Sequence, residues 1–226
     1  MFPKTIKFKK YKITYTSKEE FKILTNEIFA EEIYKTNINN PSPTIFDVGS
    51  HIGLSILYFK TIYPNAKITG FEPNPNTFPI LEENIYSNNI DNVTLHNIAL
   101  GLKNTNRKLY IDTSGECAFS TSSFTKNAWN GKQLTKPITV KTKKLSTYID
   151  KEIDLLKIDV EGAELEIIKD LYYTGKITMV KNIIIEYHPT KKSNLKNLLK
   201  HLKDFKDIKQ KDLGEDLILI HGKQRA

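Results

Sequence analysis

The sequence predicts an α/β chain built around a mostly parallel sheet with an antiparallel final strand. Three observations carry this prediction. Short β-branched and aromatic runs alternate with helix-length amphipathic stretches; the first strand, Thr44 to Val48, breaks into a glycine turn within D-V-G-S-H-I-G; and the second, Ala66 to Glu72, ends on an acidic residue. Alternation of this kind places right-handed crossover helices on a parallel sheet.

Glu19 to Thr36 carries Phe21, Leu24, Ile28, Phe29 and Ile33 at helical spacing, and N-N-P-S-P at Asn39 to Pro43 breaks the chain before the first strand. Gly53 to Tyr63 reads as a helix stopped by Pro64, and Asn74 to Asn89 as another, opened by N-P-N. Val93 to Ala99 is the third strand. Arg107 to Asp112 and Pro137 to Lys143 alternate like strands around a polar stretch, Thr113 to Lys136, that interrupts the rhythm. A long irregular insertion often forms a lid or substrate loop. The rhythm resumes with the strand Ile153 to Asp159, an amphipathic helix opening at V-E-G-A-E, the strand Lys181 to Tyr187 and a helix from Ser193 to Leu202. Phe205 to Lys211 and Leu217 to His221, joined by D-L-G-E-D, read as a terminal hairpin. The expected organisation is an N-terminal lead-in over 1–43 and one domain over 44–226, with a substrate loop inserted at 102–144.

A chain of 226 residues, 39% hydrophobic and 10% aromatic, can bury one core without disulfides or a structural metal. Cys117 is the single cysteine, which excludes an internal disulfide and a multi-cysteine zinc site. No apolar run approaches the roughly twenty residues that span a bilayer. The basic N-terminus lacks a following apolar stretch, so the sequence reads as a soluble, cytoplasmic protein. The net charge of +8 comes from 34 Lys+Arg against 26 Asp+Glu, yet Arg occurs only at Arg107 and Arg225. Nucleic-acid surfaces usually mix Arg and Lys with aromatics. Of the lysine clusters at Lys4 to Lys12, Lys141 to Lys144 and Lys191 to Lys203, the last instead surrounds an apolar face of Leu195, Leu198, Leu199 and Leu202, as on a solvated helix. A nucleic-acid partner is therefore not expected.

A strand feeding a glycine turn at a helix N-terminus is nucleotide-binding geometry. Glu72 lies roughly twenty residues beyond the turn, where a dinucleotide-type fold sets a carboxylate against ribose hydroxyls. His51 stands where a dinucleotide turn needs its middle glycine to admit pyrophosphate, so a dehydrogenase is the weaker reading.

Taken together, D-V-G-S-H-I-G, F-E-P-N-P, H-N-I-A-L-G, L-L-K-I-D-V-E-G-A-E and I-I-I-E-Y-H closely resemble the FkbM-type methyltransferases. The resemblance covers about Thr44 to His221, and D-V-E-G-A-E is its most specific part. It implies a Rossmann-like class I methyltransferase fold, a seven-stranded sheet with helices on both faces, and S-adenosyl-L-methionine as cofactor. It further implies O-methylation of a hydroxyl on a sugar, glycan or secondary metabolite. The family generally shows Ala-Asn where this chain has Ser50-His51, which makes His51 a departure beside the methionine end of the cofactor.

The cofactor offers a ribose diol, an adenine edge, a zwitterionic amino acid and a sulfonium. Glu72 suits the diol, because a carboxylate accepts two hydroxyl hydrogens together. Asp47, Gly49, Ser50, His51 and Gly53 shape the turn, with Asp47 available to the methionine ammonium. Asn97 and Ala99 are placed by the adenine, and Asp159 at a strand end points into the crevice where ligands of open α/β sheets bind. Methyl transfer to oxygen needs alignment and removal of a proton. The candidate bases are Asp159, Glu161 and His188; Glu164 reads as a helix-start acid. Asp159, Glu186 and His188 are candidates to hold a divalent cation, although strand residues alternate faces. In the polar insertion, Ser120, Thr121, Ser122 and Ser123 offer hydroxyls to a polyhydroxylated acceptor, while Phe119 and Trp129 offer stacking faces. The alternatives are an RNA methyltransferase and a non-catalytic cofactor-binding protein.

Overall fold

A computed structural model describes residues 3–112, 122–126, 135–191, 193–214 and 217–224. Cys117, Phe119, Ser120, Thr121 and Trp129 lie outside them. In chain order the elements are β1 (Lys4–Phe8), β2 (Tyr11–Tyr15), α1 (Lys18–Thr25), β3 (Thr44–Val48), α2 (Leu54–Ile62), β4 (Lys67–Phe71), α3 (Phe78–Tyr86), β5 (Val93–His96), β6 (Ala99–Leu100), β7 (Thr105–Asp112), β8 (Ser122–Ser123), β9 (Thr135–Lys143), β10 (Leu155–Ile158), α4 (Glu164–Tyr173), β11 (Asn182–Tyr187), α5 (Leu195–Lys200), β12 (Phe205–Gly214) and β13 (Leu217–Gln224).

The central sheet has seven strands in the order β12-β13-β11-β10-β3-β4-β5. Strands β11, β10, β3, β4 and β5 are parallel, and β13 enters antiparallel to β11, with β12 antiparallel to β13. The expected mostly parallel seven-stranded sheet with an antiparallel last strand is therefore present. Buried clusters lie on both of its faces. One packs Ile56, Leu57 and Phe59 of α2 and Leu81 of α3 with the N-terminal Tyr11, Ile13, Phe21 and Ile28. The other packs Leu165, Ile168 and Leu171 of α4 and Leu198 of α5 against Leu156, Ile158 and Ile185. Burial on both faces explains why Leu155–Ile158 is wholly buried while its sequence shows no alternation.

The structure differs from the sequence expectation in three places. The helix expected over Glu19 to Thr36 is α1 followed by a π-helical turn over Asn26–Ala30; it stops there, and Glu32 takes a left-handed φ of 52°. Ahead of it, Lys4–Phe8 and Tyr11–Tyr15 pair as an antiparallel hairpin whose inward side chains, Tyr11, Ile13 and Tyr15, are buried. The lysines between them masked that alternation. The strand expected over Val93 to Ala99 divides: β5 belongs to the central sheet, whereas β6 joins a second, four-stranded sheet in the order β6-β9-β7-β8. Strands β7, β8 and β9 of this small sheet fall within residues 102–144. Its tie to the main body includes Arg107, which donates to Glu166 of α4 at 2.7 Å and stacks on Phe124 at 3.7 Å. Among the described residues, no helix is long and apolar enough to cross a membrane.

Candidate active site

An open cleft lies at the carboxyl ends of β3, β4 and β10. This is the edge at which open parallel sheets bind ligands. The cleft is lined by Gly49, Ser50, His51, Glu72, Ala99, Asp159 and Glu161 from the predicted set, joined by Glu20 and Tyr34 from the N-terminal segment and by Ser122 and Phe124 from the insertion. Asp47, Gly53, Asn97 and His188 are not among its lining residues.

Gly49 fixes the turn. Its φ is +84°, and a Cβ there would stand 1.7 Å from the carbonyl oxygen of Asp159. Only glycine lets β3 and β10 approach so closely while both deliver backbone to the cleft. Ser50 closes the turn onto β4, donating to the Asp47 carbonyl at 2.9 Å and accepting from Phe71 N at 3.2 Å. His51 holds a left-handed φ of 48°, a conformation that Asn and His tolerate better than most residues. Its amide donates to Glu72 Oε2 at 2.9 Å, and the amide of Asn74 donates to Glu72 Oε1 at 2.8 Å. Each Glu72 oxygen is thereby pinned by one backbone N–H and retains a lone pair for a further donor. Burial raises the Glu72 pKa, and the neighbouring His51 and the two amides oppose that rise.

Asn97 spends its amide on the carbonyl of Glu72, at 2.8 Å, so it supports the β4 end; Ile98, Ala99 and Leu100 form that wall of the cleft. Asp47 differs more sharply from expectation. It is fully buried, accepts from Ser55 Oγ at 2.7 Å and lies 3.3 Å from the ammonium of Lys157. Lys157 had no assigned role in the sequence, although a lysine inside the apolar run L-L-K-I must find partners. It donates to Gly49 O at 2.8 Å and stands 3.3 Å from Asp159 Oδ2, with the Tyr34 ring 5.2 Å away. Burial lowers its pKa, but Asp47, Asp159 and Glu186 outweigh that and hold the ammonium above its ordinary range.

Beyond β10 the chain turns through Glu161 at φ 56° and Gly162 at φ 105°. Two successive left-handed residues reverse the backbone before α4, and Ser123 of the insertion clamps the reversal by donating to Glu161 O at 2.7 Å. Behind Glu161 stands His188, just past β11. Its Nε2 is 3.1 Å from Glu161 Oε2 and 4.0 Å from Glu186 Oε1, while its Nδ1 is 3.0 Å from Glu164 Oε1. Glu164 is therefore more than a helix-start acid: it is fully buried, also accepts from Gly162 N at 2.9 Å, and orients the imidazole. Tyr34 completes the cluster by donating to Asp159 Oδ2 at 3.3 Å and Glu186 Oε2 at 3.2 Å.

Five carboxylates around one lysine and one imidazole leave an excess of negative charge. Glu161 is pushed up to about 8, chiefly by burial and then by Asp159 and Glu186 against the opposing pull of His188. Glu186 is pushed up to about 7, by burial and then by Asp159. Burial would lower His188, but Glu161 and Glu164 hold it well above the usual imidazole range. The arrangement can store a proton between Glu161 and His188 beside the cleft. One ligand atom each from Asp159, Glu161 and His188 also falls within 4.8 Å of the others, so Glu161 takes the place that the sequence reading gave to Glu186.

The Methyltransferase FkbM domain model matches residues 47–214. "Methyltransferase 1" of Beauveria bassiana is 28% identical over 186 residues, covering 75% of this chain and 74% of that protein. "Hexuronic acid methyltransferase AglP" of Haloferax volcanii is 28% identical over 180 residues, covering 77% and 69%. Among solved structures, the methyltransferase FkbM of Methylobacillus flagellatus KT superposes with a TM-score of 0.55 at 17% identity; the match covers 80% of this chain and 44% of that longer one.

Proposed function

The chain belongs to the FkbM methyltransferase family, and from that premise we propose that it is an S-adenosylmethionine-dependent O-methyltransferase acting on a hydroxyl of a sugar, glycan or secondary metabolite. The observation that carries this reading is Glu161, which lines the cleft with His188 Nε2 3.1 Å behind it. A carboxylate that faces a ligand and is backed by an oriented imidazole is the arrangement a general base needs.

The cofactor fits the residues present. Glu72 offers acceptor capacity to a diol, and Ile98, Ala99 and Leu100 give an apolar wall to an adenine. The bound cofactor supplies a methyl group on a sulfonium, ready for in-line displacement. Glu161 takes the proton of the acceptor hydroxyl, the charged His188 ring beside it favours the ionised carboxylate that does so, and Glu164 keeps the ring in register. Asp159 is held by Lys157 and Tyr34, which makes it a fixed negative wall. Ser122 and Phe124 also line the cleft, where a hydroxyl and an aromatic face suit a polyhydroxylated acceptor, and the "hexuronic acid" named for the Haloferax volcanii relative is of that class.

A divalent cation suits the trio of Asp159, Glu161 and His188 less well than a proton does. The Lys157 ammonium already lies 3.3 Å from Asp159, and His188 Nε2 is engaged with Glu161. A cation there would have to displace that proton and compete with the lysine.

Calorimetric titration with S-adenosylmethionine and with NAD tests the cofactor assignment. The expected result is binding of the first alone, abolished by Glu72→Ala. Binding of NAD, or of neither ligand, contradicts it.

A further inference from the structure

Among the described residues, the acidic side chains on the cleft wall are Glu20, Glu72, Asp159 and Glu161. The roles above use the last three. Glu20 comes from α1, outside the glycine-turn and D-V-E-G-A-E motifs. Ser17 caps that helix by accepting from Glu20 N at 3.2 Å, and the spacing of four between Glu20, Leu24 and Ile28 brings all three to the cleft. Glu20 is 4% exposed, and its Oε1 lies 3.5 Å from His51 Nε2. The His51 nitrogen is itself buried and makes no hydrogen bond. A buried polar atom left in this state at a ligand cleft marks a place where a ligand completes the site.

Resting on the cofactor reading above, we propose that Glu20 and His51 form the receptor for the amino-acid end of the cofactor. Glu20 accepts from the ammonium, and His51 Nε2 donates to the carboxylate. Three observations converge on this pair. Asp47 does not line the cleft and is spent on Lys157 and Ser55, so the turn's own carboxylate does not serve the ammonium. The His51 amide holds Glu72 at 2.9 Å, so the ring sits on the same short loop that presents the candidate diol acceptor. An acid and an imidazole side by side match the two charges of a zwitterion, each serving the group of opposite sign. The N-terminal segment then forms one wall of the cofactor site.

The test compares two ligands by calorimetry: S-adenosylhomocysteine, and 5′-methylthioadenosine, which keeps the nucleoside and thioether but lacks the amino-acid end. Wild type is expected to favour the first. Glu20→Gln is expected to lose roughly tenfold or more toward S-adenosylhomocysteine, the effect of one charge-assisted hydrogen bond, while binding 5′-methylthioadenosine unchanged. His51→Ala should narrow the same preference. Retained 5′-methylthioadenosine binding shows that each variant has kept its cleft. If both variants keep the wild-type preference, the assignment is overturned and the cofactor reading stands. If wild type binds neither ligand, the cofactor reading falls and this assignment with it.

Discussion

The ammonium of Lys157 lies 3.3 Å from Asp47 Oδ1, and both side chains are almost wholly buried. An ion pair in that setting contributes little net stability, but removing one partner strands the other's charge. Lys157→Met should therefore cost about 3–5 kcal/mol in denaturant unfolding. Adding Asp47→Asn should recover part of that loss, a coupling a double-mutant cycle reads directly.

Gly49→Ala tests the close approach of β3 and β10. The added methyl would meet the Asp159 carbonyl at 1.7 Å, on a backbone at φ +84°. Expected is loss of more than about 4 kcal/mol of stability, or loss of soluble protein. A variant as stable as wild type, measured by thermal unfolding, contradicts the described turn.

The fold was legible in the sequence because its strands are punctuated by turn chemistry: D-V-G-S-H-I-G, F-E-P-N-P and D-V-E-G-A-E each mark a strand end, and all three meet at the cleft. Contacts distant in sequence were not legible. Asp47 and Lys157 are far apart in the chain, so the ion pair that diverts Asp47 left its only trace in a lysine within L-L-K-I. Glu164 looked like a helix-start acid because that role is local, whereas its bond to His188 depends on β11. Asn97 read as a strand-end amide, and only the β4–β5 register brings it to the Glu72 carbonyl. The burial of Tyr11, Ile13 and Tyr15 in the N-terminal hairpin was hidden by the lysines around them.

Activity should rise with pH and level off near the Glu161 value of about 8, because the base must shed its proton first. His188 lowers Glu161, so His188→Asn should move the break upward. Stability should follow the opposite course. The folded-state pKa of Glu161 lies above its unfolded value, so the stabilisation is full below the unfolded pKa and is lost as pH rises through about 8. Thermal unfolding across that window should show a decline that is shallower in Glu161→Gln.

Ser123→Ala removes the hydroxyl that holds the Glu161 carbonyl at 2.7 Å. Turnover should fall by about fivefold, with S-adenosylhomocysteine affinity unchanged, since one hydrogen bond is worth about 1 kcal/mol. Equal kcat in the two proteins would remove the insertion from the catalytic arrangement.

Activity should withstand a strong chelator. Loss of activity on chelation, restored by magnesium or manganese, would replace the shared proton with a metal at Asp159, Glu161 and His188.

The central claim is that Glu161 accepts the acceptor's proton during methyl transfer. The most direct measurement is transfer of a labelled methyl group from S-adenosylmethionine to a panel of sugars and glycans by wild type and Glu161→Gln, with S-adenosylhomocysteine affinity measured in parallel. The account predicts label on a hydroxyl acceptor for wild type, and for the variant equal affinity with transfer slower by about a hundredfold or more. Wild-type transfer rates in Glu161→Gln would contradict it.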